Sequence, residues 1–110
     1  MHNNSGVNKV FLIGHIKTEP RRHKLQNKPD TICFNLVTNE HFRKGDQTSA
    51  HEEHHSIIVC PETTDVKETE LFIGRLIHVT GKLQTKSWID ENRIKRYKTE
   101  VMVIHLELLN

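Results

Sequence analysis

The sequence predicts an all-β fold: a closed five-stranded barrel with one short helix between the third and fourth strands. Three observations carry this. The apolar residues fall in short runs rich in Val, Ile and Phe, bounded by Pro, Gly and polar clusters, which is the pattern of strands and not of long helices. Such runs occur five times without any internal repeat, and one helix-compatible segment separates the third from the fourth. A chain of 110 residues can close one core but not two, so residues 1–110 are expected to form a single domain.

Taken in order, the first strand is Val7-Asn-Lys-Val-Phe-Leu-Ile-Gly-His-Ile16, where Gly14 marks the bulge or sharp bend that a closing barrel needs. Residues 17–24 read as a loop because of Pro20 and the surrounding charges. Residues 31–38 form the second strand, with Ile32, Phe34, Leu36 and Thr38 on one face and Cys33, Asn35 and Val37 on the other. A polar connection, 39–50, carries a turn signal at Gly45-Asp46. The third strand, 54–60, stops at Pro61. Thr63 or Thr64 can then cap a short helix through Glu70 and Leu71 that turns Val66 and Leu71 inward, with Gly74 in the left-handed position that ends helices. Residues 76–85 and 97–108 supply the last two strands, joined by an arm over 86–96.

Composition narrows the function. Hydrophobic content is 35 %, low enough that association with other copies is expected to supply part of the burial. A net charge of +2 is too small to attract a polyanion by itself, so such a site must come from placement. Placement is uneven: Arg21, Arg22 and Lys24, then Arg43 and Lys44, then Lys86 to Lys98 are basic, whereas Glu62, Asp65, Glu68 and Glu70 gather elsewhere. No apolar run approaches the roughly 20 residues that cross a bilayer, and the N-terminus lacks an apolar signal core, so a soluble cytoplasmic protein without membrane contact is expected. The Asn3-Asn-Ser5 triplet then has no glycosylation to serve. Cys33 and Cys60 lack paired spacing and read as small core residues, neither a disulfide nor a metal knuckle.

The arm holds the only tryptophan, Trp88, among Lys86, Arg93, Lys95, Arg96 and Lys98. A ring beside cations is the chemistry that stacks bases and pairs phosphates; the same residues also read as a core tryptophan with a solvated charged face. Phe42 beside Arg43 and Lys44 repeats the pairing. Five strands with a helix between the third and fourth is the layout of the oligonucleotide-binding (OB) barrel.

Val7-Asn-Lys-Val-Phe-Leu-Ile-Gly14, Leu36-Val-Thr-Asn-Glu40, Val79-Thr-Gly-Lys-Leu-Gln-Thr-Lys-Ser-Trp88 and Arg96-Tyr-Lys-Thr-Glu100 resemble the signature segments of the bacterial single-stranded DNA-binding protein family, in order and over nearly the whole chain. The resemblance implies an OB-fold that wraps single-stranded DNA without reading sequence and assembles as a homo-oligomer, usually a tetramer built as a dimer of dimers paired through the first strand, which brings in Val7 and Lys9. It implies stacking roles for Trp88 and Phe42 and a subunit contact for His55, whose plain alternative is a surface histidine. It also locates departures: His54 stands where a stacking tryptophan is usual and Cys60 where a phenylalanine is, which at about 1–3 kcal/mol per stacked base predicts weaker binding or a different path. The family usually ends in an acidic tip that recruits replication and repair proteins, whereas this sequence ends at Glu107-Leu-Leu-Asn110, directly after the fifth strand; a cut at the domain edge and a natural lack of the tail both fit, and recruitment of such partners stays open.

His51-Glu-Glu-His-His55 satisfies H-E-x-x-H, the metalloprotease pattern. Two histidines four apart share a metal on a helix, where they lie about 6 Å apart. On a strand they are roughly 13 Å apart. The segment runs into Ser56-Ile-Ile-Val-Cys60 and reads as strand, so no metal site, no cofactor and no enzyme is expected. The expectation is a binder: Trp88, Phe42 and, more weakly, His54 stack bases while Lys9, Lys17, Arg21, Arg43, Lys82, Lys86, Arg96 and Lys98 pair with phosphates. Its rival is a primosomal accessory protein using the same barrel mainly for protein contacts.

Overall fold

A computed structural model describes residues 5–24 and 26–110, so the Asn3 triplet lies outside the described residues. Six strands form: β1 (Val10–Ile16), β2 (Arg21–His23), β3 (Thr31–Lys44), β4 (Gln47–Val59), β5 (Leu76–Ile89) and β6 (Lys95–Leu108). Their order is β1-β5-β6-β4-β3-β2, and an additional β1–β3 pairing bends the sheet into a ring. The ring is the expected five-stranded barrel, with β2 attached outside it along β3. All its pairings are antiparallel except β4–β6. The seam is short, only His15↔Val37 and Ile16↔Leu36.

The alternation expected along residues 31–38 is the reason the core forms. Ile32, Phe34 and Leu36 are buried, and they meet Ile57, Val59, Ile77, Val79 and Val101 in one apolar cluster. Ile32, Leu36, Ile57 and Ile77 have no exposed surface, each contributing about 1.5–3 kcal/mol on burial. Two glycines let backbones cross. A Cβ on Gly14 would lie 2.2 Å from the Val37 carbonyl oxygen at the seam, and one on Gly81 would lie 2.2 Å from that of Met102, beside the β5–β6 bulge at Thr80/Gly81.

The structure corrects several expectations. The helix is a single 3-10 turn, Glu68–Glu70, with Lys67 N–H donating to Glu70 Oε1; Leu71 is buried and Val66 packs on the core as expected, and Gly74 does take positive φ. Residues 21–23, read as loop, pair with β3. The first strand begins at Val10. The connection over 39–50 is a hairpin: β3 and β4 stay paired as far as Lys44↔Gln47 around Gly45-Asp46. The arm over 86–96 is a second hairpin, paired out to Ile89↔Lys95. Both ribbons project beyond the barrel, and the radius of gyration is 16.5 Å where about 13 Å suits a compact chain of this length. Cys33 and Cys60 are free thiols at partly exposed positions, not core residues.

Candidate nucleic-acid interface

Cross-strand partners point to the same side of a sheet, so the register defines one continuous outer face. Arg21 faces Cys33, Cys33 faces Ile58, Ile58 faces Met102 and Met102 faces Lys82, a row across five strands with a cation at each end. Along the β5–β6 ribbon the same face carries Gln84 and Glu100, Lys86 and Lys98, then Trp88 and Arg96. Two shallow clefts of about 350 and 360 Å³ lie on this face; they share His23, Cys33, Ile58, Lys98 and Glu100. Burial pushes the Cys33 thiol up, so it is a neutral floor residue there.

Trp88 is 44 % exposed, which settles the alternative left by the sequence: the indole is not a core plug. Lys86 and Lys98 are directly opposed, an arrangement of like charges that repels. Glu100, 7 % exposed, lies between them with Oε2 at 3.5 Å from Lys86 Nζ and 3.9 Å from Lys98 Nζ. The carboxylate offsets that repulsion and holds both ammonium groups over the groove floor. Sequence reasoning missed Glu100; its place one strand-step from Lys98 was the available signal.

The ribbon tip is built by Asp90. Its Oδ1 accepts from the N–H of Asn92 and Ile94, its Oδ2 accepts from Arg96 Nε at 2.8 Å, and Arg93 takes positive φ. These bonds, first that of Ile94 and then that of Arg96, hold the Asp90 carboxyl below its ordinary range. Arg96 is thus tied beside Trp88. Arg22, next to Arg21, is not free either: it bonds Glu68 at 2.7 Å and Asp30 at 3.0 Å, which fastens β2 to the 3-10 turn.

The remaining residues divide. His54 faces Val37, and Arg43 faces Thr48, on the outer side of the β3–β4 ribbon. Phe42, 52 % exposed, alternates to the opposite side of that ribbon, with Glu40 and His51. The structure therefore does not bring Phe42 together with Trp88 on one face. Lys17 follows β1, where its N–H donates to the Asn35 carbonyl. Lys9 and Val7 precede β1 and are exposed. His55 is half-buried, with Nε2 3.0 Å from Thr38 Oγ1. His51 and His55 sit on a strand, and no group of three or more His, Cys, Asp or Glu able to hold a metal occurs among the described residues. Among the described residues no helix is long and apolar enough to cross a membrane.

A barrel of this topology with a cationic, ring-bearing outer face defines the class of OB-fold binders. The family model for the single-strand binding protein family matches residues 7–109, and the chain belongs to that family. It is 33 % identical over 107 residues to a single-stranded DNA-binding protein of Chlorobaculum tepidum and 28 % identical over 107 to one from Bacteroides thetaiotaomicron, each match covering 94 % of this chain. The chain spans 65 % and 66 % of the length of these relatives. Among solved structures, the Plasmodium falciparum SSB in complex with ssDNA superposes with a TM-score of 0.85 at 27 % identity, covering 99 % of this chain and all of the other. A deletion variant of the Thermus aquaticus protein, 23 % identical, shares the fold with a TM-score of 0.77, over 96 % of this chain and 51 % of its own.

Proposed function

We propose that this chain binds single-stranded DNA without reading base sequence and without catalysing a reaction, as one binding domain over residues 1–110. The supporting observation is the run of Trp88, Lys86, Lys98 and Lys82 along one face, continuous with Arg21 and bordered by Lys17. The strand lies across the outer face from β2 to the β5–β6 tip. One base stacks on Trp88, while the lysines and arginines take phosphates and release counterions. Arg96 gives Nε to Asp90 and turns its remaining N–H groups to a phosphate. Arg43 and His54 extend the path onto the β3–β4 ribbon; Phe42 serves a strand that wraps round to the ribbon's other side. Lys9 borders Lys82 from the start of β1. Family membership supports this over a primosomal protein-interaction module on the same barrel, and action on replication, recombination or repair intermediates implies the bacterial cytoplasm, at the nucleoid.

The reading includes assembly of like chains, as a tetramer built as a dimer of dimers meeting through Val7, Lys9 and His55. Its support is the free edge of β1, which pairs with β3 only from His15 onward, beside exposed Phe11 and Ile13. Titration with oligo-dT tests the binding: Trp88 fluorescence should quench, and log K should fall with log salt at roughly −0.7 per phosphate contacted. Equal affinity for duplex DNA sinks the stacking mechanism. A mass measurement in solution tests the tetramer.

A further inference from the structure

The β3–β4 ribbon carries a charge pattern that a constant DNA contact does not explain. Over residues 39–55 the acids Glu40, Asp46, Glu52 and Glu53 outnumber Arg43 and Lys44, a net −2 with neutral imidazoles. The same stretch holds His41, His51, His54 and His55, whose full protonation brings it to +2. That reversal falls within the range where imidazole alone among unperturbed side chains changes charge.

The geometry sets the histidines among the acids on both faces. His41 and His54 share a side with Arg43 and Glu52; His51 and His55 share the other with Glu40 and Glu53. Glu40 stands directly across from His51, His51 Nε2 is 2.7 Å from Glu53 Oε2, and His54 Nε2 is 3.5 Å from Glu52 Oε2. His41, His51 and His54 are exposed. β6 pairs with β4 only at Ile57 and Ile58, and β1 pairs with β3 at His15↔Val37, so the charged or titratable groups facing these imidazoles are those of the ribbon itself and, across Val37 from His54, His15. Hydrogen bonding to Glu53 raises the His51 pKa, so this residue charges early as pH falls.

We propose that the β3–β4 ribbon is a proton-tuned nucleic-acid contact: near neutral pH its carboxylates weaken the hold of Arg43, His54 and Phe42 on a single strand, and on protonation of its histidines it becomes a cationic arm that adds phosphate contacts to those of the groove. This rests on the single-stranded DNA reading of the outer face. The partner is the phosphate backbone, since imidazolium donors on both sides of the ribbon have no base-specific arrangement.

The test is the affinity for labelled oligo-dT, by fluorescence anisotropy at pH 5.8 and 7.8 at equal ionic strength, with the salt slope at each. The unsubstituted chain should bind at least about fivefold tighter at the lower pH, with a slope steeper by about 1. Substitution of the three exposed residues, His41→Gln, His51→Gln and His54→Gln, should bring the ratio between the two pH values below about twofold. Glu40→Gln with Glu52→Gln and Glu53→Gln removes the opposing charge without any proton and should tighten binding at pH 7.8. Affinity in the unsubstituted chain that is flat between the two pH values overturns the proposal, and so does a triple-histidine variant that keeps the full ratio, which would assign the effect to histidines outside the exposed ribbon, His15, His23 or His55. If that variant does not fold, the triple glutamate variant decides alone: no gain at pH 7.8 overturns the proposal. Absence of oligo-dT binding at either pH is a different result, because it removes the DNA-binding reading itself.

Discussion

The two projecting ribbons have the same architecture and opposite electrostatics. Over residues 82–100 the β5–β6 ribbon sets Lys82, Lys86, Arg93, Lys95, Arg96 and Lys98 against Asp90, Glu91 and Glu100, a net +3, where the β3–β4 ribbon is −2. The first ties its charges down: Glu100 anchors two lysines and Asp90 anchors Arg96. The second leaves Arg43 with only a long 3.4 Å bond to the Gly45 carbonyl at its own turn. On the proposed reading, the fixed cationic ribbon holds phosphates wherever its lysines and arginines stay charged, whereas the acidic ribbon studded with histidines does so conditionally. Placement, with a whole-chain charge of only +2, makes this difference.

The largest effects should come where each ribbon roots in the barrel. Gly14→Ala or Gly81→Ala drives a methyl into a backbone carbonyl that cannot rotate away, and should cost about 3 kcal/mol of stability, the upper end for overpacking. Thermal denaturation checks this; an unchanged melting temperature for either would mean that the strands do not cross so closely. Next comes the ring. Trp88→Ala should weaken oligo-dT binding by about 1–3 kcal/mol, and Phe42→Ala by less, because Phe42 lies off the groove face. Equal losses in the two titrations would erase the distinction between the ribbons.

Smaller still, Lys86→Ala and Lys98→Ala should each flatten the salt slope by about 0.7, while Lys44→Ala at pH 7.8 should leave it unchanged. Salt titrations of the three variants decide. The least effect belongs to the exposed His51–Glu53 pair. The His51 pKa is raised above its ordinary 6.5, so its contribution is full below that value and is lost as pH rises through the raised one. Glu53 is lowered from 4.5, so its contribution holds above that value and is lost as pH falls through the depressed one. Glu53→Gln should bring the His51 midpoint down in an NMR titration; a midpoint that stays put means the ion pair does not form in solution.

The barrel was legible in the sequence because its strands have one buried face, and burial imposes alternation: Ile32, Phe34 and Leu36 announce themselves. The ribbons were not. Both their faces meet solvent, so residues 39–44 and 47–53 carry no apolar period, and the ladder of backbone hydrogen bonds leaves no trace in side-chain type. Gly45-Asp46 was the usable signal, since a two-residue glycine turn joins paired strands. β2 was missed because Arg21-Arg22-His23 has nothing to bury; its place is fixed by three backbone pairings and the Arg22 carboxylate bonds. The helix failed for want of length, as Thr63-Thr-Asp-Val offers poor helix formers for a costly nucleus. At the proposed site, Trp88 and the lysines were singled out from residue type, but that Phe42 faces away depends on register, which a ribbon without a buried side does not reveal.

The seam between β1 and β3 is one of two places at which the barrel wall can part, the other being β4–β6. A cylinder sealed along three of its joints by long ladders and along two, β1–β3 and β4–β6, by two rungs each will breathe at those two first, so the amide proton of Lys17, which bonds the Asn35 carbonyl, reports local opening before those of the β5–β6 ladder do. Because the β1–β3 joint adjoins the Lys17–Asn35 hydrogen bond at the groove margin, opening it changes the width of the groove while the rest of the cylinder stays intact.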